Sequence, residues 1–528
     1  KAIWLFHDSP TLTEAFLQKY YDSMILQAEH IMECHSAYRY MSNWGVIENH
    51  GLFEIGVCLP QSGKTKQFIA FAVKNLEVQV RMQIMPDGVH WEQSPMYHNE
   101  VLHCLLDVIL LAKRNGIALP DVILRQTEKM AMADVAWLKP DHHIVMMGDS
   151  DDVDVRDRIS VAAYLFLNPV LRFGGFDRLD YESIWDLGMK AGEEYAVMER
   201  RKPDFTSLFL EHSGNTYFRS DWSERANFLH LHSGTMGAGH GHSDKLHIDL
   251  VVNGEDVLMD GGRYTYVSGS KRFSYKDPSG HNTITVDDLP FTVCKDSWEC
   301  SKLSQPVKEN FRCTKLAEFA QAGQLGYMDL LGGVYVNRKV VYIKPDLYVL
   351  ADEMYTGDRH TYQQYFHFNN HGTVTQNAPG EKKFPCVAYR GKMAEADFYF
   401  VSAQVKAELK SGHIARHYNV EEENTVCKVT KQGEGFTSLI TVIDAQPGRP
   451  LSIEKLPVRS ALKQTDYPET MAEALKITAG EKEYVVILCH QEVNSPTDLV
   501  EADGCMGYGN VIVFDKAGDV LVGDVLNW

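Results

Sequence analysis

Apolar residues recur at spacings of three and four through the first two hundred positions and at spacings of two beyond about 205, so the chain passes from helices to strands. Leu12, Phe16, Leu17, Tyr20, Met24, Ile25, Ala28, Ile31 and Met32 form one helical stripe, and Thr11 and Glu14 ahead of it have the spacing of a capping box. A second stripe through Val101, Leu102, Leu105, Val108, Ile109 and Ala112 is stopped by Gly116, a third runs from 121 to about 138 after Pro120, and 181–199 makes a fourth. Helix after helix with short loops predicts an all-α array over 1–204. Alternation begins at Thr216. Leu246, Ile248, Leu250 and Val252 share a strand face, and Asn253-Gly254 predicts a tight hairpin into a strand at 256–259. Further strands are predicted at 339–343 and 347–351 around Lys344-Pro345-Asp346, at 362–369 and at 436–443. They define an antiparallel β domain over 205–450. After the linker at 446–450, strands at 484–490 and 511–521, with a turn at Lys516-Ala517-Gly518, predict a small C-terminal β subdomain over 451–528. There is no short repeat of the solenoid or propeller kind.

Charge narrows the function classes. With 52 basic against 71 acidic residues, a net charge of −19 and a pI near 5.6, the chain lacks the basic face of a nonspecific nucleic-acid binder, and an acidic substrate must meet a locally basic pocket. The longest apolar stretches carry charges within a turn or two, so no membrane-spanning helix is expected. The N-terminus lacks the basic, apolar and small-residue succession of a secretory signal, and the ten scattered cysteines contain no CxxC pair. Reduced thiols follow, with a cytoplasmic location favoured over a periplasmic or secreted one.

The richest chemistry lies in Gly239-His240-Gly241-His242-Ser243-Asp244, followed by Asp260-Gly261-Gly262 and His281-Asn282-Thr283. Histidine and carboxylate suit a divalent transition metal, and the Asn253-Gly254 hairpin returns Asp260 toward His242, with His281 available to complete the set. The alternative is a surface glycine loop; His247 reads as a packing or solvent-facing residue. A second group lies in the helical part: Asn43-Trp44, Asn49-His50-Gly51, Glu54 and Glu92-Gln93-Ser94-Pro95-Met96-Tyr97-His98. Amide and imidazole donors there can hold an anionic group, and a tyrosine can move protons if its neighbours depress its pKa, although Tyr97 also reads as a packing residue. Asp149, Asp151, Asp152 and Asp154 lack the glycine and glutamate of a calcium loop and read as a solvated acidic turn. Gly63-Lys64-Thr65 lacks the first glycine of a phosphate loop and reads as a polar turn.

Taken in order, these elements resemble the heparinase II/III family of polysaccharide lyases. The resemblance implies a multidomain α+β chain, an α/α toroid followed by an antiparallel β-sandwich. Only 48 residues precede Asn49, so the toroid is expected to be incomplete. It further implies β-elimination at C4 of a uronic acid: Asn49 and His50 holding the sugar carboxylate, Tyr97 and His240 moving protons, the base and acid roles between them left open. Trp44, Glu54, Arg263 and Tyr264 would bind substrate. His242, Asp260 and His281 would bind one structural zinc that pins His240, with Tyr266, Tyr275 and Arg272 as further cleft residues. The partner implied is an acidic polysaccharide or oligosaccharide, heparin or heparan sulfate ahead of alginate, hyaluronan or chondroitin, with no nucleic acid or membrane partner and an oligomer left open. Two other readings stand: a zinc-dependent hydrolase that activates water, and a glycan-binding protein without catalysis.

Overall fold

The structure, a computed structural model, describes residues 2–378, 380, 382–491, 498–516 and 521–527. It divides into two compact units. One comprises Lys1–Glu92, Met96–Val135 and Val155–Lys202, the other Gln93–Pro95, Ala136–Asp154 and Pro203–Trp528.

The helical unit is built from amphipathic helices whose apolar faces meet. Helices Asn43–Cys58 and Gly63–Gln83 bury Leu52, Phe53, Phe68, Ala72 and Leu76, each of the large ones contributing about 1.5–3 kcal/mol. Ser62 caps the second of them, its Oγ accepting from Thr65 N while Thr65 Oγ1 accepts from Ser62 N, so the glycine-lysine-threonine stretch is a helix start. The stripe through Val101 lies on Pro95–Arg114, and Asp121–Trp137 follows. Two expectations shift. Thr13, and not Thr11, caps helix Glu14–Cys34, because Thr11 is held in a turn by Ser9. Of that helix's stripe only Ile25 and Ala28 are buried. The stretch at 181–199 is two helices, Tyr181–Leu187 and Met189–Ala196, parted at Gly188, whose φ of 96° no helix accepts. Among the described residues no helix is long and apolar enough to cross a membrane.

In the other unit, strands Val334–Ile343, Leu347–Phe368 and Val420–Asp444 form the spine of a large antiparallel sheet, paired from Leu347↔Asp444 to Phe368↔Thr425. The predicted strands at 347–351 and 362–369 are one strand. The polar run Thr356-Gly357-Asp358-Arg359 breaks the apolar alternation but not the ladder beyond a local register shift. Strand His247–Val252 turns at Asn253-Gly254 into Glu255–Leu258. Both turn residues have positive φ, 48° and 82°, as a type I′ hairpin requires. Leu246, Ile248, Leu250 and Val252 enter the apolar core. The intervening His247 and Asp249 are buried as well, in a polar network with His230 and Asn282. His247 is therefore a buried, bonded residue, with no solvent-facing role.

A five-stranded C-terminal sheet, Leu451–Leu456, Ala472–Ala479, Lys482–Cys489, Val511–Asp515 and Val522–Asn527, shares a core with the main sheet through Phe319, Val341 and Val349 against Ile477, Val486 and Val513. The turn expected at Lys516-Ala517-Gly518 lies, apart from Lys516, outside the described residues. All ten cysteines are free thiols.

Candidate active site and metal centre

In the sheet unit the histidine-glycine loop is held from beneath by a carboxylate. Asp149 Oδ2 accepts from His240 Nδ1 at 3.0 Å, and Asp149 Oδ1 stands 2.9 Å from His242 Nε2. Both oxygens also accept from Arg272, at 2.6 and 2.9 Å. Asp149, His242 and Arg272 are at most 1% exposed. Burial alone would raise the Asp149 pKa, but the hydrogen bonds from His240 and His242 and the Arg272 guanidinium hold it well below the usual carboxylate range. The acidic stretch from Asp149 is accordingly no solvated turn: a charge can be buried when a guanidinium and two imidazoles meet it. This is the functional residue that sequence reasoning missed. Two glycines let the loops approach. A Cβ on Gly241 would lie 1.5 Å from Met236 O, and one on Gly148, at φ 60°, would lie 2.8 Å from His240 O.

The same bonds fix the imidazole tautomers. Burial pushes His242 down to about 3, so it is neutral at physiological pH. Its Nε2 donates to Asp149, which leaves the lone pair on Nδ1, a buried atom without a partner. His281 Nδ1 donates to Asp260 Oδ2 at 2.7 Å, and its Nε2 is likewise buried and partnerless. One ligand atom from each of His242, Asp260 and His281 lies within 4.8 Å of the others. Two orphaned imidazole nitrogens beside a buried carboxylate suit a divalent transition ion, and the Asp149 bond to His242 is the orienting contact that such ligands carry. His240 has its Nδ1–H directed at Asp149, and its ring lies 5.3 Å from Trp298 and 6.0 Å from Tyr266.

Arg263 and Tyr264 follow the Asp260 turn. The Arg263 guanidinium is committed to Asp151 by bonds of 2.6 and 2.8 Å and to the Tyr266 hydroxyl at 2.7 Å. It positions Tyr266 and keeps little capacity for an incoming anion. Arg272 is spent on Asp149 in the same way. Tyr264 is half-buried and stacks on Tyr275, whose hydroxyl donates to Glu421.

In the helical unit Tyr97 is half-buried in the first turn of Pro95–Arg114. The adjacent His98 pins that turn: its Nδ1 accepts from His90 N at 3.2 Å and its Nε2 donates to Met130 O at 3.1 Å. Asn49, expected to hold a carboxylate, is fully buried, donating to Gly45 O and Gln79 and accepting from Asn75. Its amide is a helix-packing group. Asn43, the first residue of its helix, donates through Nδ2 to Glu92 Oε2 at 2.8 Å, and its Oδ1 is buried without a partner. Trp44 is 56% exposed beside Arg39. His50 Nε2 lies 2.9 Å from Asp107 Oδ2 and 4.0 Å from Glu54. Burial opposes its charge, but the Asp107 bond, aided by Cys104 and Glu54, outweighs this and raises the pKa to about 10. A folded-state pKa above the unfolded value of 6.5 gives stability that is complete below pH 6.5 and lost as pH rises through about 10. Asp107→Asn should remove about 1.5–3 kcal/mol at pH 6, where the charged bond is lost, and much less above pH 10; equal losses at both pH values in urea unfolding would discount the pair.

The model of the heparinase II/III N-terminus matches residues 1–169, and that of the heparinase II/III-like C-terminal region matches residues 202–450. The chain belongs to the heparinase II/III family. It is 26% identical over 315 residues to the heparin-sulfate lyase of Pedobacter heparinus, covering 56% of this chain and 43% of that protein. It is 22% identical over 371 residues to the heparin-sulfate lyase of Bacteroides thetaiotaomicron, covering 66% of this chain and 49% of that one. The chain thus spans less than half the length of these curated relatives. The crystal structure of the heparan sulfate lyase HepC from Pedobacter heparinus superposes with a TM-score of 0.71 at 18% identity, over 93% of this chain and 73% of the other. That likeness establishes the fold, helices followed by an antiparallel sheet domain.

Proposed function

We propose that the chain is a polysaccharide lyase that cleaves heparin or heparan sulfate by β-elimination. The observation that carries this is the His240–Asp149 pair, an imidazole of fixed tautomer held in a loop whose next histidine belongs to a metal-competent triad. The relatives named as heparin-sulfate lyases supply the substrate class. In the reaction a base removes the C5 proton of the uronic acid, a double bond forms between C4 and C5, and the C4 oxygen leaves with a proton. His240, with Nδ1–H anchored on Asp149, presents Nε2 as one proton carrier. The Tyr97 hydroxyl is the other. Donors must stabilise the charge that grows on the sugar carboxylate. Asn49 is committed elsewhere, so this task falls to the second amide hydrogen of Asn43, with Trp44 offering an exposed ring to the sugar.

A zinc ion held by His242, Asp260 and His281 would supply a cross-link between three segments. The full burial of all three ligands favours a structural ion over one that activates water, because a hydrolytic centre needs an open coordination position reached by substrate. His242→Ala is expected to release the metal and lower the melting temperature; unchanged metal content by elemental analysis would remove His242 from the ligand set.

The deciding experiment incubates the chain with heparin, heparan sulfate, alginate, hyaluronan and chondroitin and follows ultraviolet absorbance of the new double bond. Absorbing products from heparan sulfate or heparin support the reading. Cleavage without absorbance means a hydrolase, and binding without cleavage means a non-catalytic protein. Tyr97→Phe should abolish product formation with the fold intact by circular dichroism, and full activity in that variant would take the phenol out of the mechanism.

A further inference from the structure

The hairpin of strands Val293–Cys294 and Cys300–Lys302 places two thiols together. Cys294 and Cys300 are registered partners across its antiparallel ladder, and their sulfurs lie 3.2 Å apart. Partners in such a ladder have Cα atoms about 4.5–5.5 Å apart, inside the range of roughly 4.4–6.8 Å that a disulfide spans. Met236 Sδ lies 3.6 Å from Cys300, which makes three sulfurs in one place. A shared soft metal is nevertheless a poor fit, since two sulfurs at about 2.3 Å from a tetrahedral ion stand roughly 3.7 Å apart. The thiols are already closer than that. Both are half-buried and within reach of a small oxidant.

The hairpin is tied to His240. Trp298, at its tip and 51% exposed, meets the His240 ring edge-on at 5.3 Å and packs against Gly239 and Tyr266. Lys276 Nζ donates both to Gly239 O, at 2.6 Å, and to Ser297 O, at 3.2 Å, joining the histidine loop to the hairpin tip.

We propose that Cys294 and Cys300 form a reversible dithiol–disulfide pair, oxidised by a small disulfide such as glutathione disulfide, whose closure fixes the hairpin that holds Trp298 against His240. The Cys300 thiolate attacks one sulfur of the oxidant, forming a mixed disulfide and expelling one glutathione thiolate. Cys294 then loses its proton and attacks Cys300 Sγ, closing the protein disulfide and expelling the second glutathione. Two protein thiols are oxidised and one disulfide is reduced to two thiols. The direction of attack follows from the local charges: the hydrogen bond from Cys294, helped by the Lys276 ammonium, brings Cys300 down to about 7, while the same bond holds Cys294 up.

The test equilibrates the full chain across mixtures of glutathione and its disulfide and maps the thiols by alkylation and mass spectrometry. The expected product is a reversible Cys294–Cys300 cross-link, while the exposed Cys34 and Cys58 give only mixed disulfides with glutathione. Both hairpin thiols staying alkylatable under oxidant that modifies Cys34 and Cys58 overturns the proposal, as does their capture by a metal ion in native mass spectra. The link to His240 is read by its rate of acylation with diethyl pyrocarbonate. We expect acylation about threefold slower in the oxidised chain, the scale of one aromatic contact, and insensitive to oxidant in Cys300→Ser, which lacks the attacking thiol; equal rates in both redox states overturn the link. The role of the contact at His240 rests on the lyase reading, but neither measurement needs substrate, so their failure is distinct from a failure of that reading.

Discussion

Asp149→Ala is expected to destabilise the sheet unit by about 3–5 kcal/mol, the cost of stripping the partner from a buried charge. Arg272 Nη1 and Nη2 lose their acceptors at 2.6 and 2.9 Å, and both side chains are fully buried, so water cannot take over the solvation. The same substitution frees the His242 and His240 rings to reorient. Loss of an orienting contact of this kind lowers metal affinity by about 10–100-fold. Urea unfolding read by circular dichroism checks the first effect and competition with a metal chelator the second. A variant within about 1 kcal/mol of the parent would mean that Arg272 finds another acceptor.

His240→Ala should separate activity from stability. Removing a proton carrier lowers turnover by about 10²–10⁴-fold. Asp149 keeps Arg272 and His242 in this variant, so the loss of one hydrogen bond should cost only about 1 kcal/mol. The comparison with Asp149→Ala is the informative one. If the carboxylate only orients His240, its removal cannot cost more activity than removal of His240 itself. Retained production of unsaturated oligosaccharide by His240→Ala would take the imidazole out of the elimination.

Some of this molecule is legible locally. Asn253-Gly254 predicts its hairpin because both residues tolerate positive φ, a property of the dipeptide that needs no distant partner. The apolar stripe over 101–112 and the stretch from 121 to about 138, bounded by Gly116 and Pro120, mark the helices Pro95–Arg114 and Asp121–Trp137. Where local and long-range signals compete, the reading slips. Thr11 has the spacing of a cap, yet a turn with Ser9 takes it. Asn49 and Asn43 are alike as residues, and only the packing of neighbouring helices spends the amide of one on Gln79 and Asn75 and leaves an oxygen of the other unbonded.

By itself the chain of residues determined the passage from helices to strands, the hairpin that returns Asp260, and the presence of imidazole and carboxylate groups able to bind a metal or carry a proton. Tertiary structure alone decided which of those groups face one another. Four aspartates within six positions look solvated, and what buries Asp149 is Arg272, 123 positions away, as Arg263 does for Asp151 at 112. Periodicity and turn preference act over a few residues, whereas burying a charge depends on a countercharge that only folding brings within about 3 Å.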